Sequence, residues 1–158
     1  MDCEICDELK RLSIETWNRI GFARTRPGLK IYETTLTQNL LFSLRQFQED
    51  CNIYSLQMYE ATDERINGND LELIVQTPSG YVRIPTQAKL LYTNLKYVAI
   101  NHNGTTRYQV DDLISYASII RGIPMYLFYN YVPHHNNLRE HGCTMMKADY
   151  ILNNFSPA

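Results

Sequence analysis

With 158 residues, 44% hydrophobic and 20% charged content and a formal net charge of −2, the chain has the make-up of an ordinary globular protein able to bury a core. No apolar run approaches the roughly 20 residues of a membrane-spanning helix, and the charge balance lacks the global basic signature of nucleic-acid-binding domains. The acidic start, Met1-Asp2-Cys3-Glu4-Ile5-Cys6-Asp7, has no signal-peptide pattern, so a cytoplasmic protein is expected.

In chain order, apolar positions at Cys6, Leu9, Ile14, Trp17 and Ile20 predict a helix over residues 2–20, with Cys6 on its buried face and Gly21 as its stop. A loop through Arg26-Pro27-Gly28 leads to a second helix, capped by Thr35 or Thr37, whose apolar stripe is Leu40, Leu41, Leu44 and Phe47. Residues 52–59 alternate as a strand does. Asn67-Gly68-Asn69 marks a turn, and two β segments around Thr77-Pro78-Ser79-Gly80 read as a hairpin. Asn101-His102-Asn103-Gly104 looks like another turn. A helix from Tyr108 to Arg121, with Gly122 as its cap, leads into a strand over Ile123 to Val132 that contains three of the 12 tyrosines. Pro133 to Glu140 reads as a polar loop and Thr144 to Leu152 as a final short helix. A helix linking two strands makes a βαβ crossover. The whole reads as one α/β domain spanning residues 1–158.

The four cysteines, Cys3, Cys6, Cys51 and Cys143, are too sparse for a disulfide framework and suit a reducing compartment. A zinc site on Cys3-x-x-Cys6 would need two more ligands, for which Cys143, His134, His135 and His141 are the candidates; solvated histidines in a polar loop are the plainer reading. Charge is distributed unevenly. Arg19, Arg24, Arg26 and Lys30 form a basic stretch, while Glu60, Asp63, Glu64, Asp70 and Glu72 face only Arg65. A basic loop beside an acidic pocket suits an enzyme that holds phosphates and a divalent cation, and Arg24, Arg26 and Lys30 are the candidate nucleic-acid contacts.

The chemistry concentrates in the hairpin. One β segment opens with Asp70 and its partner ends in Gln87-Ala88-Lys89. Side chains alternate along a strand, so Gln87 and Lys89 share a face, and pairing of the two strands brings Asp70 near them. Burying an acid, an amide and an ammonium together is costly without a purpose.

Helix, Asp, then a strand bearing (D/E)-x-K, a helix and a strand resembles the core order of the PD-(D/E)xK nuclease superfamily, and Gln87-Ala88-Lys89 is similar to a Gln-x-Lys variant of its bacterial branches. Glu33 with Thr37, Gly68 with Asp70, and Gln109 extend the resemblance from about Glu33 to Tyr129. It implies a restriction-endonuclease-like core, a mixed β-sheet flanked by helices. It further implies a Mg²⁺-dependent endonuclease acting on DNA, with Mn²⁺ as a substitute cation, in an anti-phage defence setting. Glu33, Asp70, Gln87 and Lys89 are then the catalytic set. Asp70, Gln87, the Ala88 carbonyl and Glu72 are the candidate metal ligands, with Glu64 as a further source of charge. Lys89 would orient the attacking water or offset developing negative charge. A neutral amide at Gln87 binds a hard cation less strongly than a carboxylate, which leaves as the alternative an inactive nuclease-fold module that binds nucleic acid or a protein partner. A chain this short also suits a homo-oligomer or dependence on a sensor subunit.

Overall fold

A computed structural model describes residues 4–100 and 108–155; Cys3 and the turn expected at Asn101-His102-Asn103-Gly104 lie outside the described residues. The helices are α1 (Glu4–Arg24), α2 (Glu33–Cys51), α3 (Glu64–Asn67), α4 (Gln109–Ile120) and α5 (Ala148–Asn154), with a 3₁₀ turn over Asn136–His141. The strands β1 (Leu56–Glu60), β2 (Leu71–Thr77), β3 (Gly80–Leu90), β4 (Met125–Tyr129) and β5 (Cys143–Lys147) make one sheet in the order β1-β2-β3-β4-β5. This is the α/β class with a mixed sheet flanked by helices, as a restriction-endonuclease-like core requires. No helix among the described residues is long and apolar enough to cross a membrane. The chain divides into two compact units: Met1–Ile53 with Lys89–Val98 and Phe128–Thr144, and Tyr54–Ala88 with Ala99–Leu127 and Met145–Ala158.

In the first unit, α1 buries Leu12, Trp17, Ile20 and Ala23. It runs through Gly21 instead of stopping there. A Cβ on Gly21 would lie 2.5 Å from the Tyr131 ring, which itself meets Trp17 edge-on, so this glycine serves a close approach. Cys6 is exposed on the first turns and disulfide-bonded, not on the buried face. Helix α2 starts at Glu33 after an extended Tyr32, which puts Thr35 and Thr37 inside the helix and not at its cap. Thr37 donates back to the Glu33 carbonyl (3.0 Å) and shares a 2.8 Å hydrogen bond with the hydroxyl of the fully buried Tyr129. The left-handed Asn52 (φ 56°) ends α2 and delays the next strand to Leu56.

In the second unit, β2 and β3 form the expected antiparallel hairpin, with Thr77 opposite Gly80, Leu71 opposite Thr86, and only Pro78 and Ser79 in the loop. Strand β1 pairs antiparallel along the other edge of β2. The single turn α3, unexpected from sequence, ends at the left-handed Gly68. Helix α4 is capped by left-handed Arg121, and not by Gly122, whose Cβ would stand 2.7 Å from the Arg83 carbonyl. Bonds from Ile123 N to Arg83 O and from Leu91 N to Tyr129 O rise together in both sequences, so β4 runs parallel to β3 through the α4 crossover. The helix expected over Thr144 to Leu152 begins only at Ala148, as α5; its first four positions belong to strand β5.

Candidate active site

Asp70 stands just ahead of β2. Its main-chain N–H donates to the Thr86 carbonyl (2.9 Å), which extends the hairpin ladder past Leu71 and sets Asp70 opposite Gln87. Asp70 Oδ2 accepts hydrogen bonds from Gln87 Nε2 and from the Ala88 main-chain N–H, the latter at 2.7 Å. Two donors on one oxygen fix the carboxylate's direction. The turn before it is equally constrained. Gly68 has φ +70°, and a Cβ there would lie 2.6 Å from the Gln109 carbonyl and 2.9 Å from Leu113 N. The Gly-x-Asp spacing thus lets the chain pass against the first turn of α4 and deliver Asp70 to the strand. Gln109 opens α4 and is buried.

Gln87 is 1% exposed, and its Oε1 has no hydrogen-bond partner among the described residues. A buried acceptor left unsatisfied costs about 1–3 kcal/mol. Asp70, the Gln87 amide oxygen and the Ala88 carbonyl offer oxygen donors only, which is the preference of a hard divalent cation. Gln87 Nε2 also donates to the Ala88 carbonyl (3.2 Å), so the amide nitrogen faces both other oxygens; the donor types suit Mg²⁺, and holding it takes the Gln87 amide turned over to present Oε1. Among the described residues no three His, Cys, Asp or Glu side chains gather as a metal site, so a cation at this position relies on amide, backbone and water oxygens. Burial, with the charges of Asp70 and Asp111 adding to it, pushes the phenol of Tyr126 well above its usual range, so this side chain stays protonated.

Lys89 and Glu33 belong to the first unit. Lys89 is 5% exposed and follows Ala88 along β3, two positions from Gln87 and on the same strand face. Glu33, the first residue of α2, accepts a 2.9 Å hydrogen bond through Oε2 from the main-chain N–H of Leu90. Its carboxylate is thus held one residue beyond Lys89 on β3.

Other expected members are engaged elsewhere. Glu72, proposed from sequence as a metal ligand, lies diagonal to Arg83 across the hairpin, where both its oxygens accept from the guanidinium. Tyr116 Oη donates to it as well (3.1 Å). The carboxylate in turn raises the pKa of Arg83 above its ordinary value. Glu64 sits exposed on α3. In the basic stretch, Arg19 pairs with Glu15, and Arg24 is half-buried and donates to the Leu91 carbonyl, with burial lowering its pKa. Arg26 lies over the Phe22 ring at 4.7 Å, and Lys30 is exposed. Of the three candidate nucleic-acid contacts, Arg24 is thus committed to the fold. His134, His135 and His141 are exposed, and burial holds the Cys143 thiol up at about 11, so it stays protonated at neutral pH and is a poor metal ligand.

The profile of the DUF6615 family, described as a family of unknown function, matches residues 5–156. The chain belongs to the DUF6615 family. A search of curated proteins finds no match. In this DUF6615 chain, Glu33, Gly68, Asp70, Gln87, Lys89 and Gln109 all fall inside the matched stretch. No functional role was read from sequence for Asn69, Arg83, Tyr116 or Tyr129. The hairpin register carried a signal for one of them: a two-residue loop sets Arg83 diagonal to Glu72.

Proposed function

We propose that this DUF6615 chain is a metal-dependent nuclease of the PD-(D/E)xK type that hydrolyses DNA phosphodiester bonds. The observation that carries the reading is the pairing of Asp70 with Gln87 at the mouth of the hairpin, beside a buried Gln87 oxygen that lacks a partner among the described residues. Mg²⁺, or Mn²⁺ in its place, held by Asp70, Gln87 Oε1 and the Ala88 carbonyl would supply the Lewis acid that activates water and offsets phosphate charge. Asp70 is the anchoring carboxylate, aimed by the Ala88 N–H. By the resemblance, Lys89 would orient the attacking water and offset negative charge on the phosphate oxygens. Glu33 would be the additional acid on the same ground. A defence role and a sensor subunit or second copy follow the resemblance.

The reading is tested by plasmid cleavage with Mg²⁺, with EDTA and with Lys89→Ala. Cleavage is expected only with the cation and is expected to fall at least about 100-fold in the variant. Lys89→Ala cutting at the wild-type rate would remove the assignment. The amide at Gln87 and the absence of a three-ligand acidic or His/Cys group among the described residues favour one rival, a module that binds DNA without cutting. Metal-independent DNA binding with no cleavage under any divalent cation would select it.

A further inference from the structure

Apart from the Asp70–Gln87 pair, the second unit carries a cleft of about 250 Å³ whose walls include Tyr59, Asn67, Asn69, Glu72, Arg83 and Tyr116. Glu72, Arg83 and Tyr116 are locked together: Arg83 donates to both carboxylate oxygens and to Tyr116 Oη (3.1 Å), and Tyr116 Oη donates to Glu72. Tyr59 stands half-open at the strand edge. Asn69 is 2% exposed. Its Nδ2 donates to the Leu71 carbonyl (3.3 Å), while its Oδ1 has no hydrogen-bond partner among the described residues.

We propose that this cleft receives a single nucleobase bearing an exocyclic amino group, unstacked from the strand whose phosphate is handled at Asp70. Size limits the occupant, because the volume falls just below the roughly 300–1,000 Å³ of sites for drug-sized molecules and suits one ring system. Polarity selects its edge. The Glu72 carboxylate is engaged by Arg83 and Tyr116, so the acceptor on offer is the buried Asn69 Oδ1, which complements an N–H donor such as the amino group of adenine or cytosine. The rings of Tyr59 and Tyr116 supply faces of the kind on which splayed bases stack. Position ties the cleft to the chemistry, since Asn69 is the residue before Asp70. Reaching the cleft requires a base out of its duplex, so the substrate class is single-stranded or locally melted DNA. The choice of a nucleotide over other amino-bearing rings rests on the nuclease reading.

The test is saturation-transfer NMR in EDTA with dAMP, dCMP and dTMP as probes, on the wild type, Asn69→Ala and Tyr59→Ala. Saturation of dAMP and dCMP is expected, with dTMP at least tenfold weaker, and a tenfold loss is expected in each variant. Tyr59 is exposed, so its variant keeps the test valid should Asn69→Ala unfold. No saturation of any probe, equal saturation of all three, or full retention by Tyr59→Ala would overturn the proposal. The two readings fail separately. Lys89-dependent cleavage without nucleotide binding discards the base cleft and keeps the nuclease, whereas nucleotide binding without cleavage keeps the cleft.

Discussion

Gln87→Glu is expected to make the stability of the fold depend on a divalent cation. In the native chain Gln87 Nε2 donates to Asp70 Oδ2. An ionised glutamate has no donor there, so the variant either sets two like charges facing each other or takes up a proton to donate to Asp70, and either change has a cost at neutral pH. For the ionised pair, loss of the charged hydrogen bond and the added repulsion together amount to about 2–4 kcal/mol, or a fall in Tm of about 5–12 °C for a chain of this size. Excess Mg²⁺ reverses the sign of the change, because a second carboxylate binds a hard cation better than an amide does. Thermal melts of both proteins in EDTA and in Mg²⁺ read this directly. A variant that melts like the wild type in EDTA would mean that the amide's donation to Asp70 contributes nothing.

Gly68→Ala is expected to destabilise the chain by about 3 kcal/mol, combining the penalty of a left-handed backbone with overpacking of a closed contact. The atoms a Cβ would meet, Gln109 O and Leu113 N, belong to the main chain of α4 and cannot swing aside. Gly28→Ala is the control. It also has positive φ (+78°), but nothing lies within 4 Å of its Cβ, so only the backbone penalty of about 1 kcal/mol remains. Denaturant unfolding of the two variants separates these contributions. Equal losses would remove the close approach as the reason for glycine two residues before Asp70.

The hairpin was legible because a two-residue loop fixes the register, and the register alone sets Asp70 opposite Gln87. The α4 crossover was legible from its apolar spacing and the glycine beyond it. What failed were features decided by distant partners. Gly21 looks like a stop, yet a helix tolerates glycine where Tyr131 needs the space. Cys143–Lys147 has methionines that favour helix, but its place as the sheet's outer strand beside β4 overrides so short a local preference. Glu72 shares a strand face with Asp70, as alternation requires, and still turns to Arg83 and Tyr116, since Tyr116 comes from a helix more than forty residues away. Asn69 reads only as a turn residue and Tyr129 only as one of a tyrosine-rich strand, and their burial and partners alone reveal more.

The most direct measurement is calorimetric titration of the metal-free protein with Mg²⁺ and Mn²⁺, comparing the wild type with Asp70→Ala. The account predicts one cation per wild-type chain and loss of that binding in the variant while the hairpin stays folded by circular dichroism. Cation binding that survives in Asp70→Ala, or a folded wild type that binds neither ion, would contradict it.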